Sequence, residues 1–221
     1  MQDISLSFLR NEAERACAEI DEGAPLDELS AALVGLAVAV SVTLLDRDLI
    51  EAGVSAAFDA GASVEQVQEI IALSSGLGVH SLMASSVPVL NEAARRGLLD
   101  ERAPMDDIRQ ALWDKHIGHD PFWVAFSEHV PGFLDAMLRL SPDIFVGFFE
   151  YCAIPWKSGT VRARVKELAA LACDATPSHR FAPGFRAHLS NAIRLGVGRK
   201  AILQTLDIAA RAPDHSGYDK A

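Results

Sequence analysis

Shifted against itself by 135 residues, the chain aligns two stretches without a gap. Leu33, Leu36 and Ala37 fall on Leu168, Leu171 and Ala172. Ala52, Ser55 and Ala57 fall on Ala187, Ser190 and Ala192. Gly61 falls on Gly196, and His80-Ser81 on His215-Ser216. These are nine identities over the 50 positions from 32 to 81. They are the residues a helix–turn–helix needs: core leucines, small residues at contacts, and a glycine past a helix end. Such a repeat implies two copies of one unit, packed on one another about a pseudo-twofold axis.

The pattern between the matched residues is helical. Ile4, Phe8, Leu9, Ala13, Ala16 and Ile20 recur at helical spacing. Leu26 to about Leu45 is apolar nearly all round, as in a helix buried on most sides. Ser63 and Gln66 form a capping box for a helix over 64–74. Ser75 to His80 reads as a Gly-rich bend before a helix over 81–96. Pro142 opens a strongly apolar helix that runs to Pro155, and 199–210 is the last helix. No alternating strand pattern occurs, so the expected fold class is all-α. The expected organisation is an N-terminal helix (1–25), a first repeat (26–96), a connector (97–129), a second repeat (130–212) and a tail (213–221).

The net charge of −10, with scattered arginines, argues against a nucleic-acid partner, which needs clustered Lys and Arg. Cys17, Cys152 and Cys173 are far apart and form no CxxC, which suits a reducing cytoplasm and no disulfide framework. The charged, amphipathic N-terminus lacks the apolar core of a signal peptide. The longest apolar run, Ala31 to Leu45, is too short to span a bilayer, so no membrane partner is expected.

The two copies differ in their titratable groups. Ala32 faces Glu167, Leu44 faces His179, and Gly53 faces His188. The first copy therefore reads as scaffold, with any chemistry in residues 167–196 of the second. Glu167 starts an apolar helix, where burial raises a carboxyl pKa and suits it to proton transfer near neutral pH. It reads equally as an exposed first-turn acid paired with Lys166 or Arg164. His188 sits in a helix rich in small residues, as a proton shuttle or as a core histidine bonded to a carbonyl. His179 lies in the break between helices, where ligand-facing groups concentrate. His80 lies in the glycine-bounded bend and is a candidate to join the site from the other half or across a subunit contact. Arg186 is a candidate guanidinium partner for a substrate carboxylate, although its spacing from His188 turns it elsewhere on a helix. His116, His119, His129 and His215 sit in connector or tail context, and Trp156 and Tyr151 read as pocket walls or core. The spacing of Glu167, His179 and His188 fits no standard metal motif, so no metal and no cofactor is expected.

Several residues together resemble one family. Lys166-Glu167-Leu168-Ala169-Ala170-Leu171-Ala172, followed by His188 and Gly196, resembles the carboxymuconolactone decarboxylase and alkylhydroperoxidase D-like family. The run from Ser178 to His188 has the pattern His-x-x-x-Pro-Gly-x-x-x-His of a cysteine-free, two-repeat subgroup, and Leu77 to Ser81 (LGVHS) is similar to a feature of that subgroup. The likeness covers about 26–90 and 130–212. Phe181 and Gly184 stand where other members carry a thiol pair, so disulfide-based peroxide reduction is not expected. Cys173 reads as a small buried residue.

The resemblance implies a tandem helical bundle and a cofactor-free lyase or isomerase of aromatic-compound catabolism. Its substrate would be a small carboxylated, unsaturated or lactone-like metabolite. Glu167, His188 and His179 would be catalytic; His80, Arg186 and Phe181 would bind substrate. It also implies assemblies of threes or sixes, and the expected partner is a second copy of the chain in a homo-oligomer (dimer, trimer or hexamer). The rival readings are a small-molecule binding or assembly protein of the same fold, and a redox protein using Cys173.

Overall fold

A computed structural model describes residues 4–215 and Gly217. Ser216 of the repeat match and residues 218–221 of the tail lie outside the described residues. The elements are α1 (Leu6–Ala16), α2 (Glu28–Ala39), α3 (Arg47–Asp59), α4 (Val64–Gly76), a 3-10 turn (Leu77–Val79) and α5 (His80–Arg95). Then come α6 (Asp107–His116), α7 (Pro121–His129), α8 (Phe133–Leu140), α9 (Pro142–Lys157), α10 (Ala163–Ala175), α11 (Ala182–Arg194) and α12 (Arg199–Ala210). No strand occurs among the described residues, and the fold is all-α. The chain forms two compact units: residues up to Gly78 with those from Pro155 on, and residues Val79–Ile154.

The first unit contains the helices of both aligned stretches. Adding 135 to the bounds of α3 gives those of α11, and α2 and α4 map onto α10 and α12 to within one residue. The turns repeat too. Leu45 and its equivalent Arg180 both have left-handed backbones (φ 43 and 49), as do Gly61 and Gly196 (φ 85 and 75). Equivalent residues meet one another: Arg162 Nη2 donates to Asp27 Oδ2 at 2.7 Å. Contacts are also reciprocal. The Leu26 N–H donates to Gln204 Oε1 at 2.9 Å, and the Val161 backbone bonds to Glu69. Such i-to-j and j-to-i pairing is the mark of a twofold relation.

The core of this unit is aliphatic. It holds Leu33, Leu36 and Ala37 of α2 against Leu168, Leu171 and Ala172 of α10, with Val67, Ile70 and Leu73 of α4 and Ile202 and Leu206 of α12. Leu9 and Ala13 of α1 complete it. By length and composition the stretch Val64–Arg95 is apolar enough to cross a membrane. Its residues Val67, Ile70 and Leu73 are nevertheless spent on this core, and Glu69 within it is paired.

The second unit is aromatic. Phe133, Phe145, Phe148 and Phe149 pack with Leu134, Met137 and Leu138, and Trp123 and Phe126 flank them. Phe133 and Phe148 meet edge-on at 5.6 Å, as do Trp123 and Phe149 at 4.9 Å, the geometry the ring quadrupole favours. His116 stacks on Phe149 at 4.9 Å.

Two expectations about elements change. The apolar run from Leu26 to Leu45 is not one helix: α2 ends at Ala39 and the chain turns over Ser41–Leu44. That turn carries no Gly or Pro, so nothing in the residue types marked it. The Gly-rich bend expected over Ser75–His80 is instead the end of α4 and a 3-10 turn leading into α5, which makes His80 helical.

One buried ion pair ties the first unit together. Lys166 Nζ donates to Glu69 Oε1 at 2.8 Å and to the carbonyls of Pro155 (2.6 Å) and Ser158 (2.9 Å). Ser158 Oγ donates to Glu69 Oε2 at 2.5 Å. Burial acts to raise the Glu69 pKa, but the bonds from Lys166 and Ser158 outweigh it and hold it below the ordinary value. A charge stranded by losing its partner here costs about 3–5 kcal/mol. Lys166→Met is therefore expected to lose that much in chemical denaturation at pH 7. The Lys166→Met/Glu69→Gln pair, uncharged at both positions as Ala31 and Gln204 are in the other copy, should recover most of it. Because the Glu69 pKa is lowered, its contribution is present above the ordinary carboxylate range and lost as pH falls through the lowered value.

Candidate functional site

Every residue of α10 from Val165 to Ala175 is buried. Glu167 and Asp174 are seven residues apart, two turns, and so lie on one face of the helix. Glu167 Oε2 bonds His188 Nδ1 at 2.7 Å, with the side chains only 9% and 16% exposed. The carboxylate thus fixes the imidazole through Nδ1 and leaves Nε2 as the other ring nitrogen. Burial acts to lower the His188 pKa, but the hydrogen bond and charge of Glu167 and the charge of Asp174 outweigh it, and the pKa is raised. Trp156 lies parallel to the His188 ring, 8° between planes and 6.4 Å between centroids. Lys166 Nζ sits 5.8 Å from the centre of the Trp156 ring.

A second acid stands on the same face. Asp174 is fully buried, and its Oδ1 lies 3.6 Å from His179 Nε2. Burial pushes the Asp174 carboxyl up to about 8, against the opposing charge of His188. His179 is lowered from its ordinary value by burial. Its ring stacks on Phe181 at 5.8 Å, and the Phe181 N–H donates to the Asp174 carbonyl at 2.9 Å. Gly184 makes room for this group. A Cβ there would run into Asp174 Oδ2 and lie 3.0 Å from the Phe181 ring.

The structure thus brings Glu167 to His188, and Phe181 to His179. The exposed-acid reading of Glu167 gives way: the residue is buried, and Lys166 is paired with Glu69. Arg186 has its guanidinium on Glu12 of α1, with Nη2 to Oε1 at 3.0 Å and Nε to Oε2 at 3.1 Å. His80 is buried at the start of α5 in the second unit. His215 Nδ1 bonds the Leu44 carbonyl at 2.6 Å. Cys173 is buried, its thiol donates to the Ala37 carbonyl at 3.3 Å, and burial raises its pKa. A thiol so held stays neutral and is a poor nucleophile. Asp174 is the residue that sequence reasoning missed. Its signal was available, since Ala39 faces it just as Ala32 faces Glu167.

No protein-family model matches the chain, and no curated protein matches it in sequence. Among solved structures, it is similar to a "putative gamma-carboxymuconolactone decarboxylase subunit" from Burkholderia xenovorans LB400. The TM-score is 0.72 at 24% identity, covering 93% of this chain and 90% of the other. A likeness at that identity establishes a shared fold over nearly the whole chain.

Proposed function

We propose that the chain is a carboxymuconolactone decarboxylase-like enzyme. It would act by cofactor-free acid/base chemistry on a small carboxylated, unsaturated or lactone metabolite in the cytoplasm. The observation that carries this reading is the buried Glu167–His188 bond at 2.7 Å, in a copy with Phe181 and Gly184 at the thiol positions. The shared fold with a protein bearing the decarboxylase name supports it. A carboxylate behind an imidazole orients the ring and keeps it protonated to higher pH. The Nε2–H can then support negative charge as it develops on a carbonyl oxygen during loss of CO2, or give its proton to the resulting carbanion. Proton-transfer isomerisation uses the same group, taking a proton at one carbon and returning it at another. His179, beside Phe181, would take the orienting role.

The exposed apolar side chains of α9 (Ile144, Tyr151 and Ile154) support assembly into a homo-oligomer. Light scattering is expected to give more than one subunit, and a strict monomer would contradict that assignment.

The catalytic roles are tested by CO2 release and ultraviolet assays on carboxylated muconolactones and related unsaturated acids. His188→Ala is expected to lower kcat by about 10²–10⁴, the range for loss of a general acid or base. Glu167→Gln removes the group that raises the His188 pKa. Its alkaline limb of activity should therefore move to lower pH, with kcat reduced toward the small end of that range. Equal rates in wild type and both variants would sink the role assignment. A ligand bound without turnover would instead make the protein a binding module.

A further inference from the structure

The last turn of α9 carries Trp156, which the roles given above do not use. Its indole lies parallel to the His188 imidazole, 8° between planes and 6.4 Å between centroids. Trp156 is 38% exposed, whereas Glu167 is buried and the His188 side chain is only 16% exposed. Of the three groups, the indole is the one most open to a solute.

The backbone around the indole is fixed. The last carbonyls of a helix find no partner within it. Here the ammonium of Lys166 supplies one: Nζ donates to the carbonyls of Pro155 and Ser158, which bracket Trp156, and Glu69 holds the ammonium in turn. The same ammonium lies 5.8 Å from the centre of the indole, within reach of its π face. The two copies differ here as a set. At the positions of Trp156, Lys166, Glu167 and His188 the first copy has Asp21, Ala31, Ala32 and Gly53. The aromatic ring and its support thus occur with the acid/base pair and are missing with it.

We propose that Trp156 is a substrate-binding residue that selects flat, conjugated carboxylic acids, which stack on its indole beside His188. The inference rests on the acid/base reading of Glu167 and His188 and narrows the substrate class of that site. Because the two rings are parallel, a flat skeleton lying on the indole also lies parallel to the imidazole plane. The indole face is negative, so it best takes a skeleton whose π electrons are drawn toward a conjugated carbonyl group. A puckered, saturated acid of the same size meets the face with fewer atoms and loses that attraction. The preference suits the chemistry. Negative charge developing on carbon spreads into a conjugated carbonyl only while the system stays planar, and a stacked skeleton is held planar. An indole pinned from both sides is in place before anything binds, which lowers the cost of ordering it.

The test measures binding and not turnover, so it is read apart from the rate assays. The probes are 2-furoate and tetrahydro-2-furoate, which share their ring size and carboxylate but are flat and puckered respectively. Calorimetric titration of the full chain is expected to show 2-furoate bound about 2–10-fold more tightly, the range for one aromatic stack. Trp156→Leu should bring the two affinities together by weakening 2-furoate, and Trp156→Phe, which keeps an aromatic face, should retain part of the preference. Should Trp156→Leu fail to fold, Trp156→Met, apolar and flexible enough to fill the place, replaces it. No saturable binding of 2-furoate to wild type, equal affinities in wild type, or a preference that survives in the Leu or Met variant would each overturn the proposal. A preference that disappears with Trp156, in a protein whose His188→Ala variant turns over normally, would uphold Trp156 as the binding wall and sink the acid/base roles alone.

Discussion

Everything in the first unit answers to the burial of α10. Eleven successive residues of this helix are removed from water, and four of them are ionisable: Lys166, Glu167, Cys173 and Asp174. A buried charge is costly unless it is paired and hydrogen-bonded, or neutralised. Each of the four has been dealt with by a different neighbour. Lys166 is met by Glu69 of α4 and two carbonyls, Glu167 by His188 of α11, and the Cys173 thiol by a carbonyl of α2. Asp174 is held toward its neutral form. The helices around α10 are thus placed by its polar groups as well as by its leucines.

The other copy shows what the scaffold looks like without that demand. Where α10 has Lys166 and Glu167, α2 has Ala31 and Ala32, and the residues facing them change in step. Glu69 becomes Gln204, and His188 becomes Gly53. Gly53 lets its helix approach α2 closely, with its Cβ direction 3.4 Å from the Leu36 Cα. The helix starts differ as well. Asp27, Asp46 and Ser63 cap their helices through side chains, whereas Arg162, Phe181 and Gly198 do not. A side-chain cap is worth about 1 kcal/mol, so the first copy holds itself together locally. The second gives up such caps while accommodating polar groups in its core.

Much of this was legible in the residues, and the limits were physical. Helical period and the 135-residue match gave the elements and the equivalence of α2–α3–α4 with α10–α11–α12, because packing preserves apolar and small residues at fixed positions. The turn at Ser41–Leu45 was not legible, since a left-handed Leu45 is imposed by tertiary context and its twin Arg180 is no more suggestive. The partner of Lys166 lies 97 residues away, and nothing local in the sequence points to Glu69. Arg186 looked like an anchor for a carboxylate, yet the first helix supplies Glu12 to it. Asp174 faces Ala39 of the other copy as Glu167 faces Ala32, but its burial is set by tertiary packing.

The burial of two carboxyls on one face of α10 also limits how the site can be charged. Glu167 has an imidazole bonded to it at 2.7 Å, while the histidine nitrogen facing Asp174 stands off at 3.6 Å. The two acids therefore stand in different surroundings: Glu167 is tied directly to an imidazole, whereas burial pushes the Asp174 carboxyl up. The ring of His188 keeps its place because the carboxylate holds it through Nδ1, and a proton can be handed on from a fixed ring only along the direction its other nitrogen faces.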